Sequence, residues 1–358
     1  MNVLFVGGSF DDNGGRPSSI VSKFANEIQS VNIGTYTSVT LYNGGYFSDI
    51  EHIIERCAEH DVVFWWANVP NDKPKIRDVK SVNNRVMLVT SKRNDNDKYS
   101  FAELINRALG TKANLCIEFK RINDKYQFML FDPLGNSWYK GFDIKECANV
   151  MMRRLVFLSE ITRQGCVHSD AEISVPNETE FFDVIKKHAE TFHELINPEP
   201  NVTRFLGNSS FRCMRGFPSF KRDGVVFVSR RNVDKRFIDK DNFVPTWFED
   251  SCIMYAGEYK PSVDTPIQLR LYDMLPNINY MIHAHVYIKD APYTLRMVPC
   301  GGLQEVNEVL FAIKSNYESM DQDFYAINLI GHGCIVMSSD VEKLKNLDYV
   351  GRELPEQW

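Results

Sequence analysis

The stretch "YMIHAHVYIKD", Tyr280 to Asp290, carries two histidines one residue apart inside an apolar run. Strand side chains alternate faces with a period of two, so His283 and His285 point the same way. A His-x-His pair on one strand face offers two metal ligands, but two ligands do not make a site. "NLIGHGCIV" supplies a third, His332, between two glycines at the end of another apolar run. "YKPSVDTPIQLRLY" supplies a carboxylate, Asp264, just before a helical pattern that leads through "LPNIN" into the His-x-His strand. Three neutral imidazoles with a carboxylate nearby suit zinc with one open coordination position, the arrangement that catalytic zinc needs. The competing reading is that the three histidines are ordinary packed core residues.

A second candidate lies near the other end of the chain. "GGSFDDNGGRPSS" places Gly7, Gly8, Gly14, Gly15 and Ser18 between an apolar strand and a helix. Glycines let a backbone approach an anion closely, and a helix N-terminus offers free N–H groups at the positive end of its dipole. A phosphate or nucleotide is one expectation for this loop; simple turn chemistry explains its glycines equally well. The spacing is neither GxGxxG nor GxxxxGK[ST], and two aspartates inside the loop oppose an anion. "NVPND", after the Trp65-Trp66 strand, lies at the same carboxyl end of the sheet, where open α/β sheets collect ligands.

The elements that must carry these residues are legible from hydrophobic period. "NVLFVGG", "DVVFWWANV" and "RVMLVTS" are apolar strands, and "SSIVSKFANEIQS" has helical spacing. "LCIEFKRINDKYQFMLFDPLGN" is a hairpin turning at Asn123-Asp124, so this half is not purely parallel. A Rossmann-like or flavodoxin-like α/β domain over residues 1–162 is expected. Periodicity lapses in "RQGCVHSDAEISVPNETE", which predicts a linker over 163–180. Asn177 and Glu180 then resemble a capping box opening the helix "FFDVIKKHAETFHELI", and a second domain occupies 181–358.

Composition narrows the function classes. With 358 residues, two domains are the natural prior. The 41 basic and 47 acidic residues give a net charge of −6 without a basic block, so no nucleic acid or anionic membrane partner is expected. No apolar run approaches the ~20 residues of a membrane span, and "MNVLFVGGSF" lacks the basic flank of a signal peptide. A cytoplasmic protein is the expectation. The eight cysteines, at 57, 116, 147, 166, 213, 252, 300 and 334, form no CxxC pair, which argues against a disulfide framework or a cysteine-only zinc site.

Taken together, "GNSSFR" at 207–212, "VSRRNV" at 228–233, "KPSVD" at 260–264, "PNINYMIHAH" at 276–285 and "GHG" at 331–333 resemble, in order and spacing, the class II aldolase/adducin family. The resemblance covers roughly residues 175–358 and implies an α/β/α domain. It implies a Zn2+ ion, or another divalent metal, held by His283, His285 and His332, with Asp264 at the position of the family's glutamate as ligand and acid/base. It further implies a metal-dependent lyase that cleaves, condenses or epimerises a phosphorylated or otherwise anionic sugar through an enediolate. Family members are tetramers, so a homo-oligomer is expected.

Departures from the family pattern are specific. Aspartate for glutamate shortens the arm by one methylene, about 1.5 Å, enough to alter ligation and proton transfer. The family's Thr-Pro-Ser-Gly turn is "SRRN" here and its second serine is Val263. Asn208, Ser209, Ser229 and Ser262 remain for substrate binding, and Arg230 and Arg231 offer charge to a phosphate. A sugar-phosphate dehydratase using the same metal site and a non-catalytic, adducin-like binding domain are the alternatives. For the first domain, binding of a nucleotide or nucleotide sugar and an assembly or regulatory role both stand.

Overall fold

The computed structural model describes residues 1–30, 38–66, 82–83, 85–196, 207–212 and 224–351. The chain forms two compact units, Met1–Glu160 and Ile161–Trp358.

The first unit contains β1 (Asn2–Asp11), α1 (Ser19–Gln29), β2 (Ser38–Tyr46), α2 (Asp49–Arg56), β3 (Val62–Trp66), β4 (Val86–Arg93), α3 (Phe101–Gly110), β5 (Leu115–Ile122), β6 (Lys125–Phe131), β7 (Ser137–Gly141) and α4 (Ile144–Ser159). Its sheet has the order β2-β1-β3-β4-β5-β6-β7. The first five strands are parallel, in the doubly wound order of flavodoxin-like folds. All five residues of β3, "VVFWW", are buried, as a central parallel strand covered on both faces requires. The remaining strands pair antiparallel. Asn123 and Asp124 both take positive φ, 46° and 64°, as the tight turn between β5 and β6 demands.

The second unit contains β8 (Cys166–Ser169), α5 (Thr179–Ile196), β9 (Asn208–Arg212), β10 (Val226–Ser229), β11 (Phe243–Glu249), β12 (Cys252–Ala256), α6 (Thr265–Met274), β13 (Tyr280–Ala284), β14 (Tyr287–Ile288), α7 (Gln304–Asn316), β15 (Phe324–Leu329), β16 (Gly333–Ser338) and β17 (Tyr349–Val350). Eight strands form a sheet in the order β15-β16-β13-β9-β10-β11-β12-β8, and β14 pairs with β17. All pairs in the large sheet are antiparallel except β12 with β8. Strand β8 lies inside the stretch expected to be a linker. Its backbone instead completes a sheet edge, a pairing partner that hydrophobic period does not reveal for four half-polar residues.

Alternation along the strands sorts the core into two layers. Ile282, Phe211 and Phe227 pack with Phe181, Phe182 and Ile185 of α5. Met281, Val226 and Val228 pack with Leu271 and Tyr272 of α6 and Val309 and Ile313 of α7. Helices therefore cover both faces, giving an α/β/α unit. No helix among the described residues is long and apolar enough to cross a membrane.

Candidate metal centre

His283 is the fourth residue of β13, and His285 follows one residue beyond the strand's end. The strand period puts both on the face of Met281, toward α6 and α7. His332 stands in the turn between β15 and β16. Because β16 pairs antiparallel with β13, matching Ala284 to Cys334, this turn returns beside the His-x-His pair. The approach requires Gly333: its φ is +153°, and a Cβ there would lie 2.0 Å from the Ala284 carbonyl oxygen.

One donor atom from each of the three imidazoles lies within 4.8 Å of the others. Their ring centroids are 4.7 to 5.1 Å apart. All three side chains are buried, His332 completely. The Nδ1–H of His283 donates to the Cys334 carbonyl oxygen at 2.8 Å, because a carbonyl can only accept. Its Nε2 is thereby left bare, and that atom is buried without a hydrogen-bond partner. His332 Nδ1 bonds Glu305 Oε1 of α7 at 2.7 Å, and its Nε2 faces Cys300 Sγ at 3.0 Å. Acceptors behind a ring nitrogen orient a ligating imidazole and raise its basicity toward a metal.

Electrostatics divides the cluster. Burial first, and then the neighbouring His332, push His283 down to about 4 against the pull of Asp264 and the Cys334 carbonyl, so it is neutral at neutral pH. Burial also acts downward on His332, but Cys300 and the Glu305 carboxylate outweigh it and hold that ring well above the usual histidine range. Burial raises Glu305 in turn. The bare, buried Nε2 of His283 and the converging imidazoles match what a zinc ion requires of its ligands.

Asp264 occupies the N-cap of α6, with Pro266 at the start of the helix, yet its side chain makes no capping bond. Its carboxylate turns away instead. Oδ1 accepts the Gly301 N–H at 2.8 Å, and Oδ2 accepts Asn208 Nδ2 at 2.8 Å. Asn208 is oriented in turn by Gln268, whose Nε2 donates to its Oδ1. Asp264 Oδ2 lies 4.0 Å from His283 Nε2, beside the cluster and within reach of a molecule bound on it.

Residues 187–288 match the Class II Aldolase and Adducin N-terminal domain. The matched segment holds Asn208, Asp264, His283 and His285 and ends before Cys300, Glu305 and His332. No curated protein matches the sequence. Among solved structures, the DNA/pantothenate metabolism flavoprotein from Streptococcus pneumoniae is 9% identical, with a TM-score of 0.31 over 44% of this chain and 99% of its own. The C-terminal domain of the coenzyme A biosynthesis bifunctional protein CoaBC is 12% identical, with a TM-score of 0.31 over 44% of this chain and 95% of its own. YgbL from Klebsiella pneumoniae, a candidate aldolase/epimerase/decarboxylase, is 13% identical, with a TM-score of 0.28 over 46% of this chain and 83% of its own.

The residues expected to bind substrate in the aldolase/adducin segment divide. Asn208 joins Asp264 directly, and the Ser262 hydroxyl accepts the Asp264 N–H at 3.4 Å. Ser209 does not reach the cluster. It alternates with Asn208 and Ser210 to the α5 face, in register with Ile282, and its buried hydroxyl has no hydrogen-bond partner. The Ser229 hydroxyl accepts the Ser209 N–H at 3.1 Å, tying β10 to β9. The Arg230 guanidinium stacks over Tyr259 at 4.3 Å, and Arg231 Nε donates to the Pro261 carbonyl at 2.9 Å. Both arginines therefore brace the segment that leads into Ser262.

Glu305, Cys300, Gln268 and Lys235 were not singled out by the sequence. Lys235, in the short helical turn Lys235–Phe237, is almost wholly buried. Burial lowers it to about 8 despite the opposing charges of Asp234 and Asp264. In the sequence it stands within "NVDKRFIDK", a charged stretch that reads as surface.

In the first unit the glycine loop is braced on itself. Ser9 N donates to the Arg16 carbonyl at 2.9 Å, Arg16 N to Ser9 Oγ at 2.8 Å, and Gly15 N to the Gly45 carbonyl at 2.7 Å. Gly7 and Gly8 lie in β1, where its register with β2 shifts between Gly7 and Phe10. Gly14 follows a turn in which its N–H donates to the Asp11 carbonyl. A Cβ at Gly15 would stand 1.7 Å from the Ser9 carbonyl oxygen, so backbone crossing alone requires glycine there. Ser18 is the N-cap of α1 and makes no side-chain capping bond; its N–H donates to Asn43 Oδ1 at 2.7 Å. The "NVPND" segment, 68–72, lies outside the described residues.

Proposed function

We propose that the second unit is a metal-dependent lyase that breaks or forms a carbon–carbon bond beside a carbonyl, or epimerises there, in a phosphorylated or otherwise anionic sugar. The observation that carries this reading is the convergence of three buried imidazoles, two with Nδ1 committed to acceptors behind them. The aldolase/adducin match over 187–288 supports the same class of activity. His283, His285 and His332 would hold zinc or another divalent metal. When bound, that ion supplies Lewis-acid stabilisation of the charge that builds on a carbonyl oxygen as the neighbouring bond breaks.

The chain's own groups supply the rest. Asp264 holds and moves the substrate proton, and its two hydrogen bonds fix the carboxylate's direction before the substrate arrives. Asn208 and Gln268 keep that orientation from the far side. Lys235 contributes a cation close to Asp264, and Arg230 and Arg231 offer guanidinium forks to a phosphate or carboxylate at the rim. A homo-oligomer is part of the proposal, read from the same resemblance and checked by light scattering.

The deciding experiment loads purified protein with zinc and assays release of carbonyl products from sugar phosphates and free sugars. The expected result is about one metal per chain and cleavage of a phosphorylated substrate, both lost in the His283→Ala, His285→Ala double variant. Loss of water without chain cleavage would assign a dehydratase. Metal-free wild-type protein after loading would overturn the reading.

A further inference from the structure

We propose that Arg163 is an anion-binding residue of the candidate site, its guanidinium receiving the phosphate or carboxylate group of a substrate bound at Asp264 and the histidines. The inference rests on the reading of that site given above and adds a residue outside the 187–288 match.

The segment before β8 delivers Arg163 to the cluster. Thr162 is fastened to the start of α7: its carbonyl accepts the Leu303 N–H at 2.9 Å, and its own N–H donates to Gln304 Oε1 at 3.2 Å. Ile161 packs so closely there that a Cβ on Gly302 would lie 2.9 Å from its Cγ2. On the other side, Gln164 Nε2 donates to the Ser251 carbonyl at 2.8 Å, and its Oε1 accepts from Arg270 Nη2 at 2.6 Å. Arg163 is thus held between two anchored neighbours. It stands beside the 300–304 stretch, whose Cys300 contacts His332 and whose Gly301 contacts Asp264. Solvent reaches this side of the cluster, where Cys300 is half-buried and Val263 exposed.

The side chain itself is available. Arg163 is exposed, and among the described residues its guanidinium has no hydrogen bond or ion pair. Nearby arginines are committed: Arg230 stacks on Tyr259, Arg231 Nε holds the Pro261 carbonyl, and Arg270 holds Pro266 and Gln164. Surrounding protein strips part of the water from the Arg163 head, which lowers it below the ordinary arginine value, and Cys300 acts on it in the opposite sense. The charge therefore lies within electrostatic reach of Cys300, at the edge of the histidine cluster. A planar guanidinium without an internal acceptor presents its N–H fork to an outside oxyanion, and partial loss of water strengthens that pairing. A merely solubilising arginine needs neither anchored neighbours nor a place beside buried imidazoles.

The test is calorimetric titration of full-length protein, preincubated with zinc, with inorganic phosphate and separately with acetate. Wild type should bind one of them at one per chain, phosphate if the site takes a phosphorylated substrate and acetate if it takes a carboxylate. Arg163→Gln should weaken that binding at least tenfold, the scale of a lost hydrogen bond to a charged group. Arg163→Lys keeps the charge, loses the fork, and should fall between. Zinc content and the thermal midpoint should stay at wild-type values in both variants, because the fold draws no bond from this side chain. The His283→Ala, His285→Ala double variant separates the two kinds of failure. Anion affinity lost there but kept in Arg163→Gln would place the anion on the metal, overturning the proposal while the metal reading stands. Zinc-free wild type that still binds the anion through Arg163 would overturn the metal reading alone. Binding of neither anion by wild type, equal affinity in Arg163→Gln, or a lowered midpoint that makes Arg163 a brace like Arg231, would each overturn the assignment.

Discussion

The glycine loop of the first unit and the histidine cluster of the second begin alike. Each stands at the end of a strand, and each needs a glycine where a Cβ would collide with a carbonyl oxygen, 1.7 Å away at Gly15 and 2.0 Å at Gly333. They differ in what surrounds that glycine. In the loop, the backbone groups of Ser9, Gly15, Arg16 and Ser18 bond to one another or to the end of β2. Nothing beyond the chain's own crossing is needed to explain them. Around Gly333 the protein buries three imidazoles, Asp264, Glu305 and Lys235, and leaves His283 Nε2 without a hydrogen-bond partner. Burying so many polar groups lowers stability, and packing a sheet against two helices does not require it. A glycine therefore reports a close approach, whereas polar burial in excess of what the fold needs reports chemistry.

The largest effect expected from breaking this contrast is at Asp264. Asp264→Asn keeps the shape and the hydrogen bond from Gly301, so zinc content should stay near wild type while turnover falls roughly 10²- to 10⁴-fold, the range for a lost acid/base. Full turnover in that variant would remove Asp264 from the chemistry. On the other side of the comparison, Gly15→Ala should destabilise the first unit by on the order of 3 kcal/mol, because the clash is with backbone. Hydrogen exchange in β1 reads this directly, and metal content at the histidines should not change. Wild-type protection in Gly15→Ala would mean that the loop is not braced by that crossing.

Lys235 sharpens the difference through pH. Its folded value of about 8 lies below the ordinary 10.5, so between those values the unfolded chain binds more protons than the folded one. Stability should therefore rise as pH increases across this window: the burial penalty is fully present below pH 8 and has lifted by about 10.5. The rise should be about 1–3 kcal/mol by denaturant titration and absent from Lys235→Met. Equal pH slopes in the two proteins would show that Lys235 is not held in a costly environment. The smallest effect concerns Arg230, half-buried and stacked on Tyr259. Arg230→Glu should raise KM for a phosphorylated substrate roughly tenfold, about 1.4 kcal/mol, and leave an unphosphorylated analogue unaffected. An equal change for both substrates would assign Arg230 to bracing the 259–261 segment alone.

Several elements were open to reading before any coordinates. The hairpin at Asn123-Asp124 was legible because two turn-forming residues separate two apolar runs, and local chemistry suffices to close it. His283 and His285 were legible as one face of a strand because alternation is a property of the extended backbone itself. Strand β8 was not legible. "CVHS" has too little apolar pattern to declare itself, and its strand state comes from a partner, β12, that follows it by more than eighty residues. Ser209 failed for a related reason: a motif places it beside Asn208 in sequence, and the same alternation that aligns the histidines sends it to the other face.

By itself, the sequence determined the residue types able to hold a metal, the strand that presents two of them, and the alternation of strands and helices in the first unit. These depend on short-range chemistry and on period, which are properties of consecutive residues. Only the tertiary structure decided that His332 returns beside His283, that Glu305 and the Cys334 carbonyl stand behind the rings, and that Cys300 faces His332 Nε2. It also decided that Asp264 forgoes its helix cap to meet Gly301 and Asn208. Each of these contacts joins residues 27 to 56 positions apart, or strands brought together by sheet order. Their energies depend on burial that exists only once both faces of the sheet are covered.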